Sequence, residues 1–163
     1  AGQGRSGEAS GSAGGTLAGD AAQLTPERFV LEALRAGRLE VTMARLALDW
    51  AGRPELRDLA VRLVADRTWL NARLETIASA RNLRLPDALA DEHHAVLESL
   101  VTLRGAEFDR AWLEATTAAH RRDATLYESA VAGLRDGELR RYAGESLTYL
   151  EGHLERAAAL QAP

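Results

Sequence analysis

The amino-acid sequence predicts an all-α protein, and three observations lead to that expectation. Apolar residues recur at spacings of three and four over four long stretches, and no stretch shows the alternation of a β-strand. Glycine and proline mark the short turns between these stretches. The length of 163 residues, with 46% hydrophobic and 27% charged residues, suits one globular domain with a substantial core. We therefore expect a bundle of long amphipathic helices.

Residues 1–24 are expected to form a flexible arm in front of a helical domain at residues 25–163. The arm is rich in Gly, Ser and Ala, and Leu17 is its only large apolar residue before Leu24. A segment of this composition cannot offset its ordering entropy by burial. The alternative interpretation is an arm that becomes ordered against a partner.

The first helix is predicted from Pro26 to about Trp50. Thr25 is a good N-cap residue, Pro26 suits the first helical position, and Gly52 favours a stop just past the end. The apolar face of this helix consists mostly of small residues, so a neighbouring helix can approach closely. One acid, Glu40, lies on that face.

Pro54 opens the second helix, which is predicted to continue to about residue 82. Asp66 replaces an apolar residue on the inner face of this helix. Arg67 lies to the side of that face, and Asn71 flanks it further out. The second helix therefore also directs one acid inward, with a cation beside it.

The connection between residues 82 and 105 is long and contains a short helix, predicted at about residues 89–103. Glu92, His93 and His94 on it are interpreted as a solvated face, because adjacent histidines point in different directions on a helix. A connection of this length can cross a whole bundle. The predicted fold is therefore a ferritin-like four-helix bundle with a short extra helix in the long crossover connection.

Two further long helices are predicted, at residues 105–133 and at about residues 138–160. Asp123 falls in the middle of the apolar stripe of the first, and His120 lies on the shoulder of that stripe. His153 lies at the edge of the apolar face of the second. An unpaired buried charge is costly, so Asp123 needs a partner.

The inward polar residues of the four long helices share one level. At a rise of 1.5 Å per residue, each lies roughly 20–26 Å from the turn of its own helix pair, near the middle of a bundle about 40 Å long. Carboxylates and imidazoles from several helices can form a metal site. The candidate ligands are Glu40, Asp66, His120, Asp123 and His153.

A structural polar layer is the other interpretation of the same level. The Glu-x-x-His signature of di-iron bundles is absent. Arg67 could reach Glu40 or Asp123 and neutralise several acids. The members of this layer would be Glu40, Asp66, Arg67, Asn71, His120, Asp123 and His153.

The composition of the chain and the absence of several known motifs argue against some classes of function. The absence of cysteine excludes disulfides, thiol catalysis and thiolate metal sites. The net charge of -4, with dispersed arginines, gives no reason to expect nucleic acid, and no apolar run is long enough to span a membrane. A phosphate-binding loop and a nucleophile elbow are both lacking. A non-enzymatic protein is favoured, and acid–base catalysis at His120 and Asp123 is the enzymatic alternative.

Four segments together resemble the bacterial family DUF4142, a domain of unknown function. They read FVLEALRAGRLEVTMARLAL, LAVRLVADRTWLNARL, LRGAEFDRAWLEATTAAHRRDATLYE and YAGESLTYLEGHLERA, and the resemblance covers about residues 26–160. It implies a ferritin-like, exported protein of the periplasm, the cell envelope or the exterior, with no established biochemical function. The family pattern falls on Glu40, Asp66, Asn71, Gly105, Phe108, Asp109, His120, Asp123 and His153.

Two departures from the family pattern bear on the metal hypothesis. The family usually has Asp-His where this chain has Asp66 and Arg67, and often Asp-His again where it has Ala119 and His120. A cation beside a would-be metal site disfavours a second cation. The resemblance therefore strengthens the fold prediction and weakens the metal interpretation.

The leading functional hypothesis is an exported, non-enzymatic interaction or structural protein without a cofactor. Its partner would be another envelope protein that contacts the N-terminal arm or exposed aromatic residues. Tyr142 and Tyr149 are candidates for the rim, whereas Trp69 is expected to pack against the following connection. The alternative is a metal-binding or oxidative-stress protein that holds iron, manganese, zinc or copper at the acid and histidine level.

Overall fold

A computed structural model describes residues 23–161, which form five α-helices without any strand. This confirms the all-α prediction. Residues 1–22 of the predicted arm lie outside the described part of the chain. None of the five helices is long and apolar enough to cross a membrane. The helices are α1 (Pro26–Trp50), α2 (Pro54–Ala80), α3 (Asp91–Val101), α4 (Gly105–Gly133) and α5 (Gly137–Gln161).

A neighbouring side chain caps the first helix, and a side chain distant in sequence holds the turn before the second. The Thr25 side chain caps α1 by accepting a hydrogen bond from the backbone N–H of Arg28 at 3.1 Å. At the start of α2, the Asp109 carboxylate from α4 accepts from the backbone N–H groups of Gly52 at 2.8 Å and Arg53 at 3.0 Å. A residue from a distant helix therefore fixes the α1–α2 turn.

The four long helices pack side by side, and each contacts two of the others closely. The helix α1 packs on α2 and α4, and α5 packs on α4 and α2. Asp109 places the start of α4 beside the α1–α2 turn. At the opposite end, Arg81 after α2 pairs with Asp136 in the α4–α5 turn, at 3.0 Å between Nη2 and Oδ1. The connection that contains α3 consequently runs from one end of the helix group to the other.

Two apolar clusters fill the interior, one toward each end. In the first cluster, the rings of Phe29, Tyr127 and Tyr142 contact one another edge to face, with centroids 5.7–6.3 Å apart. In the second, Trp112 is fully buried and its indole N–H donates to the backbone carbonyl of Met43 at 2.8 Å. Buried polar side chains lie between the two clusters.

At the level of the polar layer, the structure corrects the predicted inner face of α2 by one residue. The sequence assigned Asp66 to the inner face and Arg67 to its side, but Arg67 is fully buried and the Asp66 side chain is 23% exposed. In α4, Tyr127 is fully buried, whereas Leu126 is only partly buried. Successive residues of a helix point about 100° apart. Where two adjacent residues are both polar, the sequence pattern does not indicate which one faces inward, and tertiary packing decides it.

Three expectations about individual side chains were also wrong. Tyr142 is fully buried in the first apolar cluster and not at a rim. Trp69 is 51% exposed and packs on Tyr149 of α5, with ring centroids 5.9 Å apart, instead of on the following connection. His93 is partly buried, because α3 lies against α1 and α4.

Candidate functional site

Arg67 on α2 is the centre of the buried layer between the two apolar clusters. Its Nε donates to Glu40 on α1, and its Nη2 donates to Asp123 on α4. Its Nη1 donates to the hydroxyl of Tyr127 on α4 at 3.2 Å. Each guanidinium nitrogen therefore has an acceptor, and charge-assisted hydrogen bonds join three helices at one point.

The two carboxyl groups around Arg67 differ in acidity. Burial raises the pKa of both groups. At Glu40, the attraction of Arg67 and then of His120 outweighs burial and lowers the pKa to about 2. At Asp123, burial and the neighbouring Glu40 carboxylate raise the pKa well above its usual value. Glu40 is thus the ionised partner of Arg67, and Asp123 keeps its proton where a free aspartate would lose it.

Two histidines extend the layer from Glu40 toward the surface. His120 Nδ1 lies 3.1 Å from Glu40 Oε1 and 3.0 Å from the backbone carbonyl of Thr116. His120 Nε2 lies 3.1 Å from His153 Nδ1. His153 Nε2 lies 2.7 Å from Asp66 Oδ2. A continuous series of polar contacts therefore leads from a buried acid on α1 to a partly exposed acid on α2.

The hydrogen-bond acceptors at the two ends of this series indicate which ring nitrogens of His120 and His153 carry a proton. A carbonyl oxygen only accepts, so the Thr116 carbonyl places a proton on His120 Nδ1. The Asp66 carboxylate places one on His153 Nε2 in the same way. His153 Nδ1 is then an acceptor, and His120 Nε2 must donate to it. In this assignment His120 donates from both ring nitrogens, and His153 donates only to Asp66 and is neutral.

The neutrality of His153 agrees with its surroundings. Burial lowers the pKa of His153 to about 4, although the hydrogen bond to Asp66 opposes that shift. When Asp123 holds its proton, the Arg67 cation at the centre of the layer is balanced by the Glu40 carboxylate. Such a balance reduces the cost of burying charge.

Not every residue of the predicted layer joins these contacts. The side-chain amide of Asn71 lies against Gly37 of α1. The contact is so close that a Cβ atom at position 37 would lie 2.1 Å from Asn71 Oδ1, which only glycine avoids. Within residues 23–161, Asn71 makes no hydrogen bond to the other layer residues. Sequence reasoning missed Tyr127 and Thr116, which lie one turn from Asp123 and His120 on the same helix face. The spacing of four residues, which places Tyr127 beside Asp123 and Thr116 beside His120 on a helix, could have identified both residues from the sequence.

The predicted ligand set does not fit a resident metal ion in this arrangement. Arg67 lies between Glu40 and Asp123, and both ring nitrogens of His120 and of His153 contact protein atoms. Among the described residues, no three His, Asp or Glu side chains are grouped to hold one ion. The soft donors that copper(I) prefers are scarce, because the chain has no cysteine and one methionine, which is buried.

The fold and the layer together define an all-α helical protein whose buried ion pairs separate two apolar clusters. More specifically, the chain belongs to the DUF4142 family, since the model of this domain of unknown function matches residues 12–160. The resemblance found in the sequence is thereby confirmed. No curated protein matches the chain.

Solved structures with a similar fold include CopM and two proteins that contain a DUF305 domain. CopM in its Cu(I)-bound form is 18% identical, covering 85% of this chain and 96% of its own, with a TM-score of 0.73. A DUF305 protein from Streptomyces coelicolor, described as secreted, is 18% identical over 83% of this chain and 90% of its own, with a TM-score of 0.72. A DUF305 fragment from Deinococcus radiodurans is 15% identical over 83% and 93%, with a TM-score of 0.75. At these identities the similarity concerns the fold alone.

Proposed function

We propose that this protein is a non-enzymatic, extracytoplasmic helical bundle of ferritin-like topology that acts as an interaction or structural protein. The position of Arg67 carries the proposal. Its guanidinium fills the centre of the layer and has an acceptor for each of its nitrogens. A centre filled by a bonded side chain leaves no place there for a substrate or a metal ion. The layer then serves the fold, by setting how the helices pair.

The topology and location in this proposal have separate support. The connection through α3 runs the length of the helix group, as in a ferritin-like bundle. The resemblance to DUF4142 implies export, and a structural neighbour from Streptomyces coelicolor is described as secreted. Periplasm, cell envelope and exterior are the locations that agree with both.

An exposed aromatic surface on α2 and α5 supports the interaction role. Trp69 is 51% exposed, lies 5.9 Å from Tyr149 between ring centroids, and has the Arg73 guanidinium 5.4 Å from its ring. Tryptophan, tyrosine and arginine are the residues enriched in the energetically dominant parts of protein interfaces. Another envelope protein is the proposed partner, with the N-terminal arm as a second contact.

Elemental analysis of protein purified without an affinity tag tests the proposal. We expect iron, manganese, zinc and copper far below one ion per chain, in the wild type and in His120→Ala alike. Stoichiometric metal in the wild type that disappears in His120→Ala would overturn it. His94→Ala, which changes an exposed histidine on α3, is the matched control.

The second candidate function is metal binding, which the contact between His120 and His153 favours. If this contact opened, two imidazole nitrogens would become available near the Asp66 carboxylate. CopM has been solved with copper and with silver bound, and it shares this fold. Titration with Cu(II) distinguishes the candidates: a metal site requires binding that His153→Ala abolishes and His94→Ala leaves unchanged.

A further inference from the structure

A cavity of about 550 Å³ lies between α1, α3 and α4, on the side of the molecule that the crossover connection covers. It is separate from the exposed aromatic surface on α2 and α5. The helix α3 forms one wall and buries only Leu100 among its own residues, so it is held loosely in comparison with the long helices. Its charged and titratable lining consists of Glu32, Arg35, Glu92, His93, Arg122 and Asp123.

The basic side chains of this cavity lack partners. Arg35 on α1 and Arg122 on α4 both line this cavity, and neither makes an ion pair with a carboxylate of residues 23–161. The Nε atom of Arg35 and the Nδ1 atom of His93 are buried without a hydrogen-bond partner. Buried polar atoms nearly always have a hydrogen-bond partner. Arg35 Nε is a donor and lacks an acceptor, whereas His93 Nδ1 can take either role, so the polar groups around this cavity are incompletely paired.

We propose that this cavity binds a small oxyanion, a carboxylate or phosphate group, between Arg35, His93 and Arg122. Both arginines present planar donors that suit carboxylate and phosphate oxygens. The start of α3 adds the positive end of a helix dipole beside the cavity. The N-cap residue Ala90 has no side-chain oxygen, so the backbone N–H groups of Asp91 and Glu92 have no acceptor within residues 23–161, whereas those of His93 and His94 donate to the Ala90 carbonyl.

The acidic residues of the lining do not cancel this charge. Glu32 is already hydrogen-bonded to Arg28 at 2.8 Å between Nε and Oε1. Asp123, on the wall formed by α4, has a pKa well above its usual value because of burial and the nearby Glu40. Glu92 is exposed at the start of α3 and is the one lining carboxyl group without a basic partner among the described residues, so the two arginines of the lining outnumber it.

The pKa of His93 should change when an anion binds in this cavity. Burial lowers its pKa, and the charges of Arg122 and Arg35 lower it further against the effect of Glu92. A bound anion would offset the two arginines and raise that pKa. The ring resonances of His93 should therefore move on binding, which separates this cavity from other basic surfaces.

The test is calorimetric titration with inorganic phosphate and, separately, with acetate, at constant ionic strength in chloride buffer. We expect saturable binding of at least one of them, at least tenfold weaker in Arg122→Gln and in Arg35→Gln. Arg62→Gln is the matched control, because Arg62 is an exposed arginine on α2 that makes no ion pair within the described residues. Arg122 is itself exposed, so its replacement keeps the test valid if Arg35→Gln does not fold.

The two anions also separate the ligand sources. Saturation by phosphate alone assigns a phosphate ligand, and saturation by acetate alone assigns a carboxylate. Absence of saturable binding for both would overturn the proposal. The proposal would also be overturned if Arg62→Gln weakened anion binding as much as Arg122→Gln does. It would equally be overturned if the anion bound without shifting the ring resonances of His93.

Discussion

Helix α2 carries two arginines that pair with acids on other helices, and they differ in their access to water. Arg67 is fully buried between Glu40 and Asp123. Arg73 pairs with Glu145 on α5, and these side chains are 29% and 46% exposed. Water screens the exposed pair, whereas the buried cation has lost its hydration and depends on its partners. The same chemistry therefore has different consequences six residues apart on one helix.

Removing the buried cation should have the largest effect. Arg67→Ala leaves the Glu40 carboxylate buried without its main partner and removes a donor from Tyr127. We expect the free energy of unfolding to fall by about 3–5 kcal/mol, measured by urea denaturation at neutral pH. A fall under about 0.5 kcal/mol would mean that Arg67 behaves like a surface arginine.

The two acids around Arg67 should differ from each other. Glu40→Gln removes the ionised partner and should cost about 3 kcal/mol. Asp123→Asn replaces a group that already keeps its proton and should cost under about 1 kcal/mol. Equal losses in the two variants at pH 7 would show that both acids are ionised in the folded protein.

The pH dependence of Asp123→Asn sharpens this difference. Above the usual Asp pKa of 3.8, the folded wild type holds a proton on Asp123 that the unfolded chain releases. This group therefore makes stability fall as pH rises, by up to about 1.4 kcal/mol per unit, until its raised folded pKa is passed. Asp123→Asn lacks that component, so its stability relative to the wild type should improve from pH 4 to pH 7. An unchanged difference over that range would contradict the assignment.

Loss of His153 should have an intermediate effect. His153→Ala leaves the donor of His120 without an acceptor and opens a cavity beside Asp66. We expect a loss of about 1–3 kcal/mol at pH 7 in urea denaturation. The exposed His94→Ala should change stability by less than about 0.5 kcal/mol. Equal effects of the two variants would contradict a structural role for His153.

The low pKa of His153 gives this variant a pH signature as well. Between about pH 4 and the usual 6.5, the unfolded chain binds a proton at this position that the folded protein excludes. This contribution to stability is present above pH 6.5 and is lost as pH falls toward 4. His153→Ala should therefore lose less stability than the wild type over that interval.

The sequence was sufficient to predict the helices because capping residues, proline and glycine near their ends are local signals. Thr25 and Pro26 start α1, and the predicted bounds of α4 are those of the structure. The residues of the polar layer were harder to predict from the sequence. Asp66 and Arg67 are adjacent polar residues, and only tertiary packing selects which of them faces inward. The same holds for the cavity under α3, whose walls come from segments distant in sequence.

The smallest effect is expected at the exposed pair, and salt separates it from the buried one. Arg73→Ala should cost no more than about 1 kcal/mol, including its contact with the Trp69 ring at 5.4 Å. In about 1 M NaCl the Debye length falls to about 3 Å, so the ionic part of this cost should vanish. The cost of Arg67→Ala should persist, because no counterion can approach a fully buried guanidinium. If salt reduced both costs alike, Arg67 would have to be accessible to solvent, and the contrast between the two arginines of α2 would fail.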